Sequence, residues 1–350
     1  MKKHLIAAGV VAAFAAPAMA QNVTIYGVFD VNYSVVDTDG YGSATAQGKN
    51  TLANSRLGLR GSEDLGGGLK AEFQLEGNLS PNDGVMGAAT SSSDNANDSF
   101  FDREAWVGLS GKFGAIRMGR TDVTSAQAID SKVGQVGNQS DQSDIGVDQK
   151  QVIRYTSPVW NGFQAEVGYA NPEATTAAST GEKTAGKLTS YYVSYEQGPL
   201  GAYVGLTTQK ITGVPSYEQD QLNVGAKYDF GVIAVGLSYS NRDGAGVTGG
   251  SAPYTAKPAA DDKDYKQTTL SVSAPLSNGY KAHALYQKRD LGGSDATGVD
   301  YKVLTAVVTK ALSKRTSLYA GISSKDFDKE AVGTTDADTT TYLAGVVHSF

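Results

Sequence analysis

The sequence contains no cysteine and only nine prolines among its 350 residues. Without cysteine the chain has no disulfide framework, no thiolate metal ligand and no cysteine nucleophile. It also lacks an excess of basic residues, since 30 lysines and arginines stand against 36 aspartates and glutamates. Nucleic-acid binding requires a basic surface that neutralises phosphates, so we expect no nucleic-acid partner. Tyrosine and phenylalanine are plentiful, with 19 and 10 residues, which argues against a disordered chain.

No run of about 18 apolar residues occurs beyond the N-terminal segment, so no transmembrane helix is predicted. The first 20 residues have the composition of a secretory signal peptide. Lys2 and Lys3 come first, an apolar stretch follows at 5–16, and Ala18-Met19-Ala20 precedes Gln21. We predict that residues 1–20 are cleaved and that residues 21–350 form a single domain. That mature chain would carry 28 basic and 36 acidic residues, a net charge of −8.

Apolar and polar side chains alternate over the first segment of the predicted mature chain. From Val23 to Val35 the odd positions are Val, Ile, Gly, Phe, Val, Tyr and Val, whereas the even positions are mostly polar. A period of two is typical of a β-strand with one apolar face. Strands of soluble proteins are usually about 5–6 residues long. This longer segment suffices for a tilted membrane-crossing strand, which needs about 9–11 residues.

The same alternation recurs along the chain, and the links between the alternating segments are of two kinds. Seven links are short, and eight are long and polar. Short turns at one rim and long loops at the other are characteristic of outer-membrane barrels. In lipid every backbone group must be paired, so the sheet must close. We therefore predict an all-β fold: a 16-stranded antiparallel transmembrane β-barrel with short periplasmic turns and long external loops.

A soluble β-sandwich is the alternative fold, because its strands also alternate. Here, however, the polar face carries arginine, lysine and glutamate on successive strands, as expected for a wet lumen. The last segment fits the barrel as well. Tyr342, Ala344, Val346, His348 and Phe350 share one parity, so the final strand is predicted to end in an outward aromatic residue.

Several short motifs occur in order from one end of the predicted mature chain to the other. They are VTIYGVFD at 23–30, SRLGLRGSEDLGGGL at 55–69, WVGL at 106–109, MGR at 118–120, RYTSP at 154–158, LSKRT at 312–316 and HSF at 348–350. In these motifs the chain resembles the trimeric general porins of Gram-negative bacteria, especially those of the beta-proteobacterial and neisserial type. The resemblance implies a homotrimer in the outer membrane, surrounded by lipid and lipopolysaccharide. It also implies passive diffusion of ions and small hydrophilic solutes, and a third loop that folds inward.

The link at 121–149 is the longest uninterrupted polar link. It holds Asp122, Asp130, Asp141, Asp144 and Asp148 against a single lysine, Lys132. A loop of this length in a compact domain is usually functional or disordered. With the resemblance, we interpret 121–149 as the constriction loop of the pore; a solvated external loop is the alternative.

Strand parity predicts which cations face the lumen. Four arginines alternate with apolar residues and are therefore assigned to the inner wall: Arg56, Arg60, Arg117 and Arg154. Lys70 and Glu72 are predicted to line the same wall. A lipid-facing arginine at mid-bilayer would cost about 2–4 kcal/mol, which supports this assignment. Arg103 shares the parity of Ala105, so either it lies near the rim or the register around 100–109 differs, and Arg120 could point either way.

Together, these residues predict a filter by size and by a transverse field between wall arginines and loop carboxylates. Arginine suits this role because it stays charged and is weakly hydrated. The alternative is that the arginines only hold the loop in place. The sign of the selectivity stays open, since lumenal arginines favour anions whereas the net charge favours cations. External acidic groups are screened over about 8 Å, which tips the expectation towards anions.

A barrel hydrolase and a substrate-specific channel are the two alternative functions. A barrel hydrolase needs a Ser-His or Asp-His pair, yet the predicted mature chain has only His283 and His348, neither near a distinctive serine motif. We predict no catalytic residue, no cofactor and no metal site, although Asp261–Asp264 and Asp326–Asp328 leave divalent ions in the external loops open. A substrate-specific channel would line its lumen with aromatic residues, of which few are predicted to face inward.

Overall fold

The computed structural model describes residues 23–87, 100–122, 125–134, 149–170, 175–176, 183–212, 217–243, 264–291, 300–328 and 337–350. The predicted signal peptide, residues 1–20, lies outside these ranges, and so do Asp141, Asp144 and Asp148. The described part of Asp261–Asp264 is Asp264 alone.

Sixteen long strands build the wall within the described ranges. They are β1 (Thr24–Thr38), β2 (Arg56–Gly66), β3 (Leu69–Ser80), β4 (Glu104–Gly111), β5 (Gly114–Thr121), β6 (Gln149–Thr156), β7 (Phe163–Ala170), β8 (Lys183–Gln197), β9 (Leu200–Thr212), β10 (Tyr217–Asp229), β11 (Ala234–Asp243), β12 (Tyr265–Pro275), β13 (Tyr280–Leu291), β14 (Tyr301–Ala311), β15 (Thr316–Phe327) and β16 (Thr339–Ser349). Each strand pairs antiparallel with the next, and β1 pairs with β16, so the sheet closes. The predicted 16-stranded barrel is confirmed.

Shorter elements accompany these strands. They are the strands Gly42–Lys49, Val85–Met86 and Thr175–Thr176, the helix α1 (Ser125–Lys132) and a 3₁₀ turn at Ser277–Gly279. No helix in the described ranges is both long enough and apolar enough to cross a membrane.

The two faces of the wall differ as the period of two predicts. On β12 the inward residues Gln267, Thr269 and Ser271 are buried, whereas Leu270 between them is 41% exposed. Such an outward apolar face belongs against lipid, and the inward face belongs in a polar lumen.

The ends of the wall meet at a tight seam. Gly27 and Phe350 exchange backbone hydrogen bonds of 3.3 and 3.1 Å, and the Phe350 ring stacks on Phe29 with centroids 5.6 Å apart. A Cβ atom at residue 27 would lie 2.4 Å from the Phe350 ring and 2.9 Å from the Arg56 carbonyl oxygen, so a larger residue would require the ring or the backbone to shift. Phe350 faces outward, as predicted.

Residues 50–55, between the short strand Gly42–Lys49 and β2, leave the sheet. Residues Val31–Thr38 of β1 pair with Gly42–Lys49, and residues Thr24–Val28 pair with β2. Between these two segments, residues 50–55 turn into the lumen, where Ser55 is 0% exposed and bonds to the inward-facing Asp30.

Candidate functional site

The described part of the third loop lies inside the barrel. Ile129 and Val133, at 1% and 2% exposure, pack with Tyr192 of β8 and Tyr203 of β9. The wall makes room for the helix by lacking a side chain at Gly225 of β10, where a Cβ would stand 2.6 Å from Ile129 Cγ2. The apolar face of α1 therefore seats on the inner wall formed by β8, β9 and β10.

Polar contacts fix α1 further. Ser238 Oγ donates to Asp130 Oδ1 at 3.1 Å, and Ser271 Oγ donates to the Val133 carbonyl at 2.5 Å. Lys132 Nζ lies 2.9 Å from Glu196 Oε1. Asp130 is only 3% exposed, and its carboxylate accepts from the wall strand β11, whereas the prediction placed it among the loop carboxylates opposite the arginines. The reason is its position next to Ile129, on the side of the helix that packs.

Several of the predicted wall arginines are paired with wall carboxylates. Arg154 contacts Glu166 with Nη2 2.5 Å from Oε2 and donates through Nη1 to the Asp122 carbonyl at 3.1 Å. Arg56 lies 3.5 Å from Glu76. The inner wall is therefore a network of alternating charges, and the Asp122 backbone ties the start of the third loop to it.

Arg60 and Arg117 are held differently. The Arg60 guanidinium lies 5.0 Å from the centre of the Tyr26 ring, and the Arg117 guanidinium lies 4.3 Å from the Trp106 ring. Neither arginine forms an ion pair of 4 Å or less within the described ranges. Both line a recess of about 350 Å³ that also includes Thr24, Glu72 and Gln74. Their only acidic neighbour in the lining of this recess is Glu72.

The two arginines of uncertain direction also join this wall. Arg103 precedes β4, so strand parity does not apply to it, and its Nε lies 2.7 Å from Glu76 Oε1. Arg120 donates through Nε to the Asp102 carbonyl at 2.5 Å. Lys70, opposite Ser110 in the β3–β4 register, lies exposed at the other end of the same face. Parity alone could not locate Arg103, whereas the inward position of Glu76 could have suggested its partner.

Access to the lumen is uneven. The inward side chains of β10, β12 and β13 are polar but covered, with Gln221, Thr269 and Gln287 at 0–1% exposure. On the opposite side Arg60 is exposed, and the side chain of Arg56 is 31% exposed. The accessible part of the lumen therefore runs along the arginine wall.

A closed barrel with a lipid-type exterior and a charged, partly open interior defines the class of outer-membrane channel proteins. The chain belongs to the Gram-negative porin family, whose family model matches residues 7–330.

Individual relatives agree with this assignment. Outer membrane porin protein 32 of Delftia acidovorans is 33% identical over 341 residues, which cover 92% of this chain and 89% of the relative. Major outer membrane protein P.IB of Neisseria gonorrhoeae is 29% identical, covering 80% of this chain and 83% of the relative. Among solved structures, an anion-selective porin from Comamonas acidovorans superposes with a TM-score of 0.74 at 29% identity, covering 94% of this chain and all of the other. The protein is thus an outer-membrane channel for passive diffusion of solutes.

Proposed function

We propose that this porin is a general diffusion pore with a preference for small anions. The filter lies between the arginine wall and the third loop, residues 121–149. The observation that carries the proposal is the pair Arg60 and Arg117, whose guanidiniums lack an ion pair in the described ranges and line one recess. The anion-selective relative from Comamonas acidovorans supports the same sign.

The physical basis is the field in the water-filled gap. Guanidiniums on one side orient water and attract anions. The Arg154–Glu166 pair contributes little net charge, whereas Arg56 and Arg103 share the single carboxylate of Glu76. A pore of this kind selects by radius and by lining charge and needs no reacting group. We accordingly assign no enzymatic activity to the chain.

A salt-gradient recording in a planar bilayer tests the anion preference. We expect the reversal potential of the wild-type channel to lie on the anion side. It should move towards cations in Arg60→Gln and further in the double variant with Arg117→Gln. Lys210→Gln removes the same charge from an exposed ion pair with Glu218 outside the lumen and is the matched control. A double variant that keeps the wild-type reversal potential would contradict the proposal.

The inward aromatic residues favour a general pore over a substrate-specific one. A sugar-specific channel would offer free aromatic faces to its solute, but the Tyr26 and Trp106 faces are occupied by guanidiniums. Tyr203 is 1% exposed beneath α1, and Tyr319 is 4% exposed and bonded to Asp30. The described inner wall thus offers little stacking surface to a passing solute.

We further propose that the protein is a homotrimer whose subunits meet along β4 and β5. These two neighbouring strands end inside the described ranges and have eight residues each, fewer than the about 9–11 that span a bilayer. Protein is a better cover than lipid for so low a wall. A fluorophore attached to Val107→Cys on β4 should be shielded from a lipid-borne quencher, whereas one on Leu304→Cys of β14 should be quenched. Equal quenching at both positions would refute this interface.

The opposite arc is the one we assign to lipid and lipopolysaccharide. Its external ends carry exposed ion pairs, namely Lys210 with Glu218, Lys288 with Asp290, and Lys302 with Asp328. Lysines at this level suit the phosphate groups of lipopolysaccharide.

Residues 1–20 are proposed to be removed on export, so the protein recovered from the outer membrane should begin at Gln21 by N-terminal sequencing.

A further inference from the structure

The lumen contains a second inward segment besides the third loop. Residues 50–55 interrupt the wall between Gly42–Lys49 and β2, and the excursion starts at Asn50, whose φ of 62° lies in the left-handed region. The backbone N–H of Ser55 donates to Asn50 Oδ1 at 2.7 Å. This hydrogen bond joins the first and last residues of the segment.

Asp30 of β1 is the hub of this segment. Its side chain faces inward and is 0% exposed. The carboxylate accepts hydrogen bonds from the backbone N–H groups of Leu52 at 2.5 Å and Ala53 at 2.8 Å, and from the Tyr319 hydroxyl at 2.5 Å. A buried carboxylate is tolerated only when donors of this kind surround it, and bonds to a charged acceptor are the stronger ones.

An apolar seat receives the tip of the segment. Four inward residues of β13 to β16 form a buried cluster: Leu285, Val307, Tyr319 and Leu343. Leu52 packs against this cluster. Aliphatic side chains on the inner face of a polar lumen have a clear use here, because they hold an inserted piece of chain by apolar burial.

The far end of the segment reaches the charged wall. Arg56 Nη1 donates to the Asn54 carbonyl at 2.9 Å, and the Arg56 Nε lies 3.5 Å from Glu76 Oε2. The Asn54 carbonyl and the Glu76 carboxylate therefore both orient the Arg56 guanidinium. Asp30 thus binds two backbone N–H groups of the same segment whose Asn54 carbonyl receives the Arg56 guanidinium.

We propose that residues 50–55 form a fixed second jaw of the constriction and that Asp30 is the positioning residue that holds it. The inference rests on the proposed arginine filter but adds a separate part to it. The third loop narrows the lumen from the β8–β11 side, and residues 50–55 narrow it from the β1 and β16 side. Arg56 contributes to selection only while this jaw is seated.

The test is the variant Asp30→Asn, with conductance and selectivity measured together in single-channel recordings. An amide at this position presents an N–H₂ group and loses the charge, so the bonds to residues 52 and 53 weaken and the jaw loosens. We expect the conductance to rise roughly 1.5- to 2-fold, because the width of a narrow water-filled pore limits its current. Asp37→Asn makes the same change on an exposed residue of β1 and is the matched control.

A second readout distinguishes positioning from general damage. Arg56→Gln should shift the reversal potential in the wild-type channel but should have little further effect in the Asp30→Asn background, since Arg56 is already misplaced there. Leu52→Ala, which retains Asp30 and removes the apolar anchor, should raise the conductance in the same direction. It also serves if Asp30→Asn does not assemble.

The outcomes separate the two proposals. Unchanged conductance in folded Asp30→Asn and Leu52→Ala channels, or an undiminished effect of Arg56→Gln in the Asp30→Asn background, would overturn the jaw. A wild-type channel that prefers cations would instead overturn the anion filter and leave the widening by Asp30→Asn as a valid result for the jaw.

Discussion

Arginine has two different environments on one wall of this pore. Arg154 contacts Glu166 at 2.5 Å, whereas Arg60 lies over an aromatic ring with no ion pair in the described ranges. Strand parity predicted that both side chains face inward, because apolar neighbours occupy the lipid side. It could not predict their partners, since Glu166 meets Arg154 only through the register of two neighbouring strands, in which Arg154 lies opposite Gly168. Local alternation says which face a side chain occupies but not what lies beside it there.

The Arg154–Glu166 pair makes a prediction of its own. Glu166→Gln removes the carboxylate and leaves the Arg154 charge uncompensated, so the lumen becomes more positive. We expect the reversal potential to shift further to the anion side. Salt-gradient recordings will check this, with Glu218→Gln, which removes an exposed carboxylate outside the lumen, as the control. An unchanged reversal potential would mean that the pair does not face the conducting path.

At the scale of elements, hydrophobic periodicity predicted the strands, whereas the inserted segments needed tertiary contacts. The 121–149 link stood out by its length and acidity. The face of α1 that packs on the wall depends on Ile129 and on the missing side chain at Gly225. These two residues are far apart in sequence, so no local pattern predicts their contact. The 50–55 segment was missed altogether, because Thr51, Asn54 and Ser55 look like any turn and the alternation simply stops. The buried inward Asp30 was visible by parity, but its three donors come from distant parts of the chain.

The packing of α1 against the inner wall is tested by placing a side chain at Gly225. In Gly225→Val the new Cβ would stand 2.6 Å from Ile129 Cγ2 and 2.9 Å from Val133 Cγ1. The helix must then move away from the wall and into the lumen, so we expect a lower single-channel conductance. Ala226→Val adds bulk to the lipid face of the same strand and should leave the conductance unchanged. Equal conductance in all three channels would show that α1 does not border the conducting path.

The whole molecule is a closed sheet whose outside is not uniform. The eight-residue strands β4 and β5 form a low arc, and strands of 10 to 15 residues form the arc from β8 to β16. Alternating polarity sufficed to predict closure and strand number, because lipid admits no unpaired edge. It could not distinguish the two arcs, since apolar residues that face lipid and those that face a partner look alike in sequence.

Closure itself is tested at the seam. Gly27→Val would place a side chain where the Phe350 ring lies, with a Cβ contact of 2.4 Å. Overpacking of this kind usually costs about 1–3 kcal/mol, so we expect the barrel to unfold at a lower temperature, measured by the heat needed to lose the compact band in detergent electrophoresis. Val31→Ile adds a methylene to the same face of β1 and should have a smaller effect. Matching unfolding temperatures for the wild type and Gly27→Val would show that the ring is free to move aside.

The seam also sets the order in which the protein can be made. Every other pairing of long strands joins neighbours along the chain, so hairpins can form as soon as both arms are present. The Phe29–His348 register joins the first strand to the last. Until the final strand arrives, both margins of the growing sheet display bare amides and carbonyls, which invite wrong neighbours. A cell that makes this porin must therefore protect the unpaired edges of the nearly complete barrel until β1 and β16 pair.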